Sequence, residues 1–254
     1  MSWLLGFLAG VVIAAVTTPV GVSGAVFLLP FQLSILGVPS PAVTPTNLLY
    51  NVISVPGGLL RYTRQASLRS PLTKLILTGT VPGVVVGALV RVFALPDGTL
   101  FRILVAALLL PLGVWLIVRP PQRDVRPPPA SGVVVGLGLL AGLIGGIYGI
   151  GGGALLAPVL MGLGYAASTV APATLVATFL TSVMGVATYV SLGLTGHPQA
   201  APVWSIALAC GLGGLVGGYL GAAMQPRLSQ RLFSLGLGGL SVAVAVAYLA
   251  MSST

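Results

Sequence analysis

Glutamate is absent from the 254 residues and aspartate occurs only at Asp97 and Asp124, so 13 side chains are charged, 11 of them Lys or Arg. A soluble domain carries roughly a quarter charged residues, which excludes an ordinary cytosolic protein. Cys210 is the one cysteine, and it lies in an apolar run, which rules out a disulfide framework or a cysteine metal site. Apart from their ends, the apolar runs hold no carboxylate, histidine or lysine. A pump that relays protons through intramembrane carboxylates is therefore excluded. No basic stretch precedes the first apolar run, Met1 to Val16, so it reads as a retained first helix rather than a cleaved signal.

The chain is instead 56% hydrophobic, with 36 Gly and 20 Pro, both above the average usage of about 7% and 5%. Disorder also enriches Gly and Pro, but only together with low hydrophobicity, and here the mean hydropathy is +1.09. What remains is an integral membrane protein of broken or closely packed helices. The net charge of +9 sits in clusters between apolar runs, where it reports membrane topology. No nucleic-acid partner is expected, nor any cofactor or metal.

Ten apolar runs follow one another: about 2–18, 22–36, 42–60, 71–94, 98–118, 132–147, 151–163, 168–193, 201–223 and 228–250. Eight reach or approach the roughly 17–25 residues of a spanning helix, whereas 22–36 and 151–163 are too short. Each short run follows a glycine turn, Gly21-Val-Ser-Gly24 or Gly149-Ile-Gly-Gly-Gly153, and carries a central proline, Pro30 or Pro158. Gly21, Gly24, Leu28 and Pro30 align with Gly149, Gly152, Leu156 and Pro158 at an offset of 128 residues. After one gap the offset is 127, and Val43, Pro45, Leu48, Ser54, Gly58 and Tyr62 meet Val170, Pro172, Leu175, Thr181, Gly185 and Tyr189. The expected architecture is an all-α polytopic membrane protein made of an N-terminal repeat (1–118), a Pro/Arg linker (119–131) and a C-terminal repeat (132–254). With about five helical segments per repeat, one of them short or re-entrant, there are 8–10 membrane segments and the second copy is inverted. A cytoplasmic linker places nine of the eleven basic residues inside, among them Arg61, Arg64, Arg69, Lys74, Arg227 and Arg231. Both termini, the neutral loop 193–200, and Arg91 and Arg102 beside Asp97 then fall outside, and all charges are expected in loops.

With charge confined to loops, the interior offers backbone, hydroxyls and amides. Glycines at Gly21, Gly24, Gly151, Gly152 and Gly153 allow tight turns and close approach. The helix after each turn leaves its first N–H groups unpaired, a preference for anions, and Ser23 adds a hydroxyl. In the following helices Asn47 and Asn51 share one face, as do their repeat counterparts Thr174 and Thr178. These ten residues form the candidate seat for a small anionic substrate. The competing use of the same small and polar residues is helix packing alone.

The string Gly149-Ile-Gly-Gly-Gly-Ala-Leu-Leu-Ala-Pro-Val-Leu160, its first-half echo Gly21-Val-Ser-Gly-Ala-Val-Phe-Leu-Leu-Pro30 and the polar helix after each resemble the sulfite exporter TauE/SafE family of membrane permeases. The resemblance covers essentially the whole chain and implies transport of sulfite or organosulfonate-like anions across a prokaryotic plasma (inner) membrane. The sequence departs from the family pattern where Ser23 and Ala25 replace glycines and where Pro45-Thr-Asn replaces a small-Thr-Ser pattern. Two other classes compete. Gly21-Val-Ser23-Gly24 matches the Gly-x-Ser-Gly of rhomboid-like intramembrane serine proteases, but the nucleophile needs a base, the one histidine His197 lies in a polar turn, and the second copy has Gly151 at the serine position. A non-transporting assembly subunit fits the doubled half-helix less well, since irregular backbone at membrane depth must be buried or line a cavity. The basic loop Arg61 to Lys74 also suits anionic lipid headgroups, and a homo-oligomer is left open.

Overall fold

A computed structural model of the protein describes residues 2–64, 70–95 and 130–224 except 164 and 166, with scattered helical positions between 103 and 118 and between 231 and 249. Most of the linker, Asp97, Asp124 and Arg102 lie outside the described residues. The described structure is helical: α1 (Ser2–Thr17), α2 (Ala25–Ser34), α3 (Ser40–Tyr62), α4 (Pro71–Phe93), α5 (Ser131–Tyr148), α6 (Gly152–Gly162), α7 (Ala167–Leu194) and α8 (Trp204–Met224). Among the described residues four helical stretches are long and apolar enough to cross a membrane, Pro71–Phe93, Ser131–Tyr148, Ser168–Leu194 and Pro198–Met224. At 23 residues, α3 is about 34 Å long, also enough for a hydrocarbon core of about 30 Å, but it carries the polar face. Outward faces are apolar, with Leu4, Leu8, Val12 and Val16 exposed on α1 and Leu208, Leu212, Val216 and Leu220 on α8. Apolar area on this scale is tolerable against lipid and not against water.

Glycine sets how closely the helices approach. Gly213, Gly217 and Gly221 of α8 lie against the carbonyls of Phe7, Val11 and Ala15 of α1, and Gly79, Gly83 and Gly87 of α4 lie against those of Val135, Leu139 and Leu143 of α5. A side chain at any of these glycines would collide with backbone, so each seam is a run of small residues every fourth position that lets two helices touch. The seams are copies of each other. Gly79 and Gly213, Gly83 and Gly217, and Gly87 and Gly221 are each 134 residues apart, and their partners Phe7 and Val135 are 128 apart. The repeat therefore continues through α4 and α8, beyond the stretch legible from residue identity. Tyr62 donates to the Thr18 carbonyl at 3.4 Å and its counterpart Tyr189 to the Gly146 carbonyl at 2.8 Å, which repeats the same tie.

The contacts also give direction. Residue numbers rise together along α1 and α8 and along α4 and α5, so each seam is parallel. Gly214 faces Tyr50 and Ser54 while Gly218 faces Gly58, so α3 runs with α8. Arg91, in the last turn of α4, donates to Ser40 at the start of α3, so α3 and α4 run opposite ways. Hence α1 runs against its repeat counterpart α5, and the second repeat is inverted.

The same Arg91 corrects one expectation. Its side chain is 2% exposed, not in a loop, and its guanidinium donates to the carbonyl of Leu95 and, at 2.9 Å each, to the carbonyl and hydroxyl of Ser40. A carbonyl past the end of α4 and the carbonyl and hydroxyl of Ser40 at the start of α3 solvate the charge in place of water, so it can be buried.

Candidate functional site

Both short helices begin at mid-depth. At ten and eleven residues, α2 and α6 extend only about 15–17 Å, roughly half of the hydrocarbon core. Each is preceded by a left-handed glycine that ends the helix before it: Gly21 at φ 74°, ψ 15° and Gly149 at φ 74°, ψ 19°. An L-side chain there costs about 1–2 kcal/mol. The chain turns back, and Ser23 comes level with Asn51, the midpoint of α3, while Gly151 and Gly153 come level with Thr178 of α7. Neither α2 nor α6 has a side chain capping its first turn at the residue preceding the helix.

The two turns are stitched across the halves. Thr174 of the second repeat donates to the Gly21 carbonyl at 3.0 Å, and Thr44 of the first donates to the Ile147 carbonyl at 3.1 Å. Gly21 lies against the backbone of Ala171, and Gly149 against that of Thr44, the residue that aligns with Ala171. Each half thus closes the glycine turn of the other.

All ten candidate residues are buried, and Asn47, Asn51, Thr174 and Thr178 are fully so. They divide into two groups. Gly24 packs against Ile13 and the Tyr50 hydroxyl, and Gly152 against Thr80 and Gly142. These two are packing positions, although the Gly152 amide also donates to Thr181 Oγ1 at 3.2 Å. The others lie at the starts of the half-helices, Ser23, Asn47 and Asn51 beside α2 and Gly151, Gly153 and Thr178 beside α6, with Thr174 against both Gly21 and Gly153. Ser23 Oγ accepts the Ala25 amide at 3.1 Å, so its proton goes to Asn51 Oδ1. That fixes the Asn51 amide with Nδ2 as a donor, and Nδ2 has no partner. Asn47 Nδ2 donates to the Ala25 carbonyl at 2.8 Å, which leaves Asn47 Oδ1 an acceptor without a donor. Thr178 Oγ1 is without a partner, as is Ser182 Oγ, one turn further along α7. A Cβ on Gly151 would lie 3.0 Å from Ser182 Oγ, and one on Gly153 2.6 Å from Thr178 Oγ1. Gly151 is held at φ 73°, ψ 140°, open only to glycine, whereas no non-glycine residue described has a positive φ, Ser23 included.

Sequence reasoning missed Ser182, because its repeat counterpart is Val55 and no symmetric pair marked it. The Ser–His pairing of a protease does not form. Ser23 is bonded to Asn51 at mid-depth, and His197 stands at the end of the bundle with its ring edge-on to Phe93, centroids 5.0 Å apart.

An inverted-repeat helical bundle with one half-helix in each repeat, each starting beside buried polar groups without partners, is the architecture of a membrane transporter. The chain belongs to the TauE family, described as "Sulfite exporter TauE/SafE", whose profile matches residues 5–248. It is 26% identical over 256 residues to the "Probable membrane transporter protein YunE" of Bacillus subtilis (strain 168), with 91% of each chain covered. Two Arabidopsis thaliana relatives, "Sulfite exporter TauE/SafE family protein 5" and "family protein 1", are 35% and 37% identical over 100 and 81 residues. These matches cover 39% and 32% of this chain, and 22% and 17% of the plant proteins. No solved structure matches the chain.

Proposed function

We propose that this transporter carries a small anion, sulfite or an organosulfonate, across a prokaryotic plasma membrane. Its seat lies at the starts of α2 and α6, and Ser23, Asn47, Asn51, Thr174 and Thr178 line it together with the backbone of Gly21, Gly151 and Gly153. The observation that carries this reading is the set of buried polar atoms without partners beside two helix starts whose preceding residue, Gly24 or Gly151, brings no capping side chain. Each such atom costs about 1–3 kcal/mol when left dry, and a ligand with oxygen acceptors offsets that cost at the donors Asn51 Nδ2, Thr178 Oγ1 and Ser182 Oγ. Helix starts favour negative charge, and the described helices place no carboxylate there to oppose it. The family description and those of the two plant relatives point to sulfite. Burial of every seat residue fits a conformation closed to both sides, from which one repeat rocks against the other.

The end of the bundle with Arg61, Arg64 and Lys74 is assigned to the cytoplasm by the positive-inside rule. Both termini are then outside. Repeat boundaries remain as read from the sequence: 1–118, 119–131 and 132–254.

The test is ligand-induced thermal stabilisation of the purified protein with sulfite, sulfonates, sulfate and carboxylates. Binding to the folded state raises stability by about 2.7 kcal/mol at a hundredfold excess over Kd. Stabilisation by sulfite or sulfonates is expected. No response to any anion would refute the anion seat.

A further inference from the structure

We infer that the seat selects anions that also carry a hydrogen-bond donor, a hydroxyl or a protonated oxygen, and that Asn47 Oδ1 is the group that reads that donor. This rests on the anion seat proposed above. Of the partnerless groups on the seat side chains, Asn51 Nδ2, Thr178 Oγ1 and Ser182 Oγ can donate. An oxyanion with nothing but acceptors would satisfy them. Asn47 Oδ1 is different, because its amide is oriented by the bond from Nδ2 to the Ala25 carbonyl and the remaining oxygen can only accept. Asn47 is fully buried, so an acceptor-only ligand leaves that oxygen dry beside added negative charge. A ligand with both a sulfonate group and a hydroxyl pairs both kinds of atom. Sites that pair with a substrate hydroxyl discriminate strongly against the analogue lacking it, for the reason that their own polar group is stranded. The first repeat departs from the second here, since Thr174 at the matching position spends its hydroxyl on the Gly21 and Val170 carbonyls. Both halves of the seat therefore supply donors, and the first alone adds the acceptor.

The experiment compares isethionate with propanesulfonate, which have equal charge at all accessible pH and differ by a hydroxyl in place of a methyl. Binding of each to the purified full-length protein is measured by calorimetry, with sulfite as a reference anion. Isethionate is expected to bind about 5- to 150-fold more tightly, the factor for one buried acceptor left unpaired. Asn47→Leu is expected to collapse that ratio, whereas Asn51→Leu weakens both ligands and preserves it. Equal affinities in the wild type, or tighter propanesulfonate, overturn the inference while the anion seat stands; this comparison needs no variant to fold. A ratio that survives in folded Asn47→Leu overturns the assignment to Asn47. Absence of binding by both sulfonates and by sulfite overturns the anion seat itself.

Discussion

At the scale of single residues, the account depends on hydrogen bonds that are spoken for and those that are not. Asn51 holds the Ser23 hydroxyl through Oδ1 and presents Nδ2 to the seat. Asn51→Ala and Thr178→Val, which each remove a donor without a partner, are each expected to weaken anion binding by about 2- to 150-fold, the range between a neutral and a charged hydrogen bond lost. Titration calorimetry checks this, with Cys210→Ala as the variant that leaves affinity unchanged, since Cys210 is buried against Gly6 on the α1 seam, away from the seat. Arg91 makes a separate prediction. Arg91→Met removes donors to Ser40 and Leu95 and is expected to lower thermal stability by about 1.5–3 kcal/mol for each charged bond lost. An unaltered melting temperature would contradict the burial. The Asn and Thr pairs could be read from the sequence because i, i+4 spacing and the repeat marked them twice. Ser182 had no symmetric partner to mark it. Segment hydropathy puts Arg91 in a loop because it treats every charge as costly and carries no information on the carbonyls of Leu95 and Ser40 that solvate this one.

At the scale of elements, helix positions were legible and helix contacts were not. The apolar runs 42–60, 71–94 and 168–193 appear as Ser40–Tyr62, Pro71–Phe93 and Ala167–Leu194, because the length of a membrane-crossing helix is set by the bilayer. The glycine seams went unread, although Gly79-Gly83-Gly87 and Gly213-Gly217-Gly221 stand in the sequence at four-residue spacing. Spacing alone does not name the partner helix, and both seams join helices from different repeats. Gly83→Leu and Gly217→Leu are expected to destabilise by at least 1–3 kcal/mol, about the cost of overpacking, because the new side chains meet backbone. Gly136→Leu, where nothing stands within 4 Å of a Cβ, serves as the control and should leave the melting temperature in detergent within a degree or so of wild type, a surface change being worth about ±0.5 kcal/mol. A seam variant that melts with the control would remove the seams from the account of the fold.

At the scale of the whole molecule, inversion places α1 and α5 antiparallel and starts both half-helices at mid-depth, each reached from an opposite end of the bundle. Residue identity revealed the repeat, and the charge distribution gave its hand, because an inverted copy must move its basic loops to the other end of its own helices. Cysteines introduced at position 64 and position 197 should label from opposite sides of the membrane, position 64 from the cytoplasm. Labelling of both from one side contradicts the topology. The described helices hold no carboxylate or histidine at seat depth, so transport of a sulfonate of constant charge should follow membrane potential, at about 2.3 kcal/mol per 100 mV for each charge. The most direct test of the seat is uptake of labelled isethionate into proteoliposomes under an imposed potential, by wild type and by a folded Asn51→Ala/Thr178→Val variant. The account predicts accumulation by the wild type and loss of most of that flux in the variant, with its melting temperature retained. Wild-type flux in the variant would contradict it.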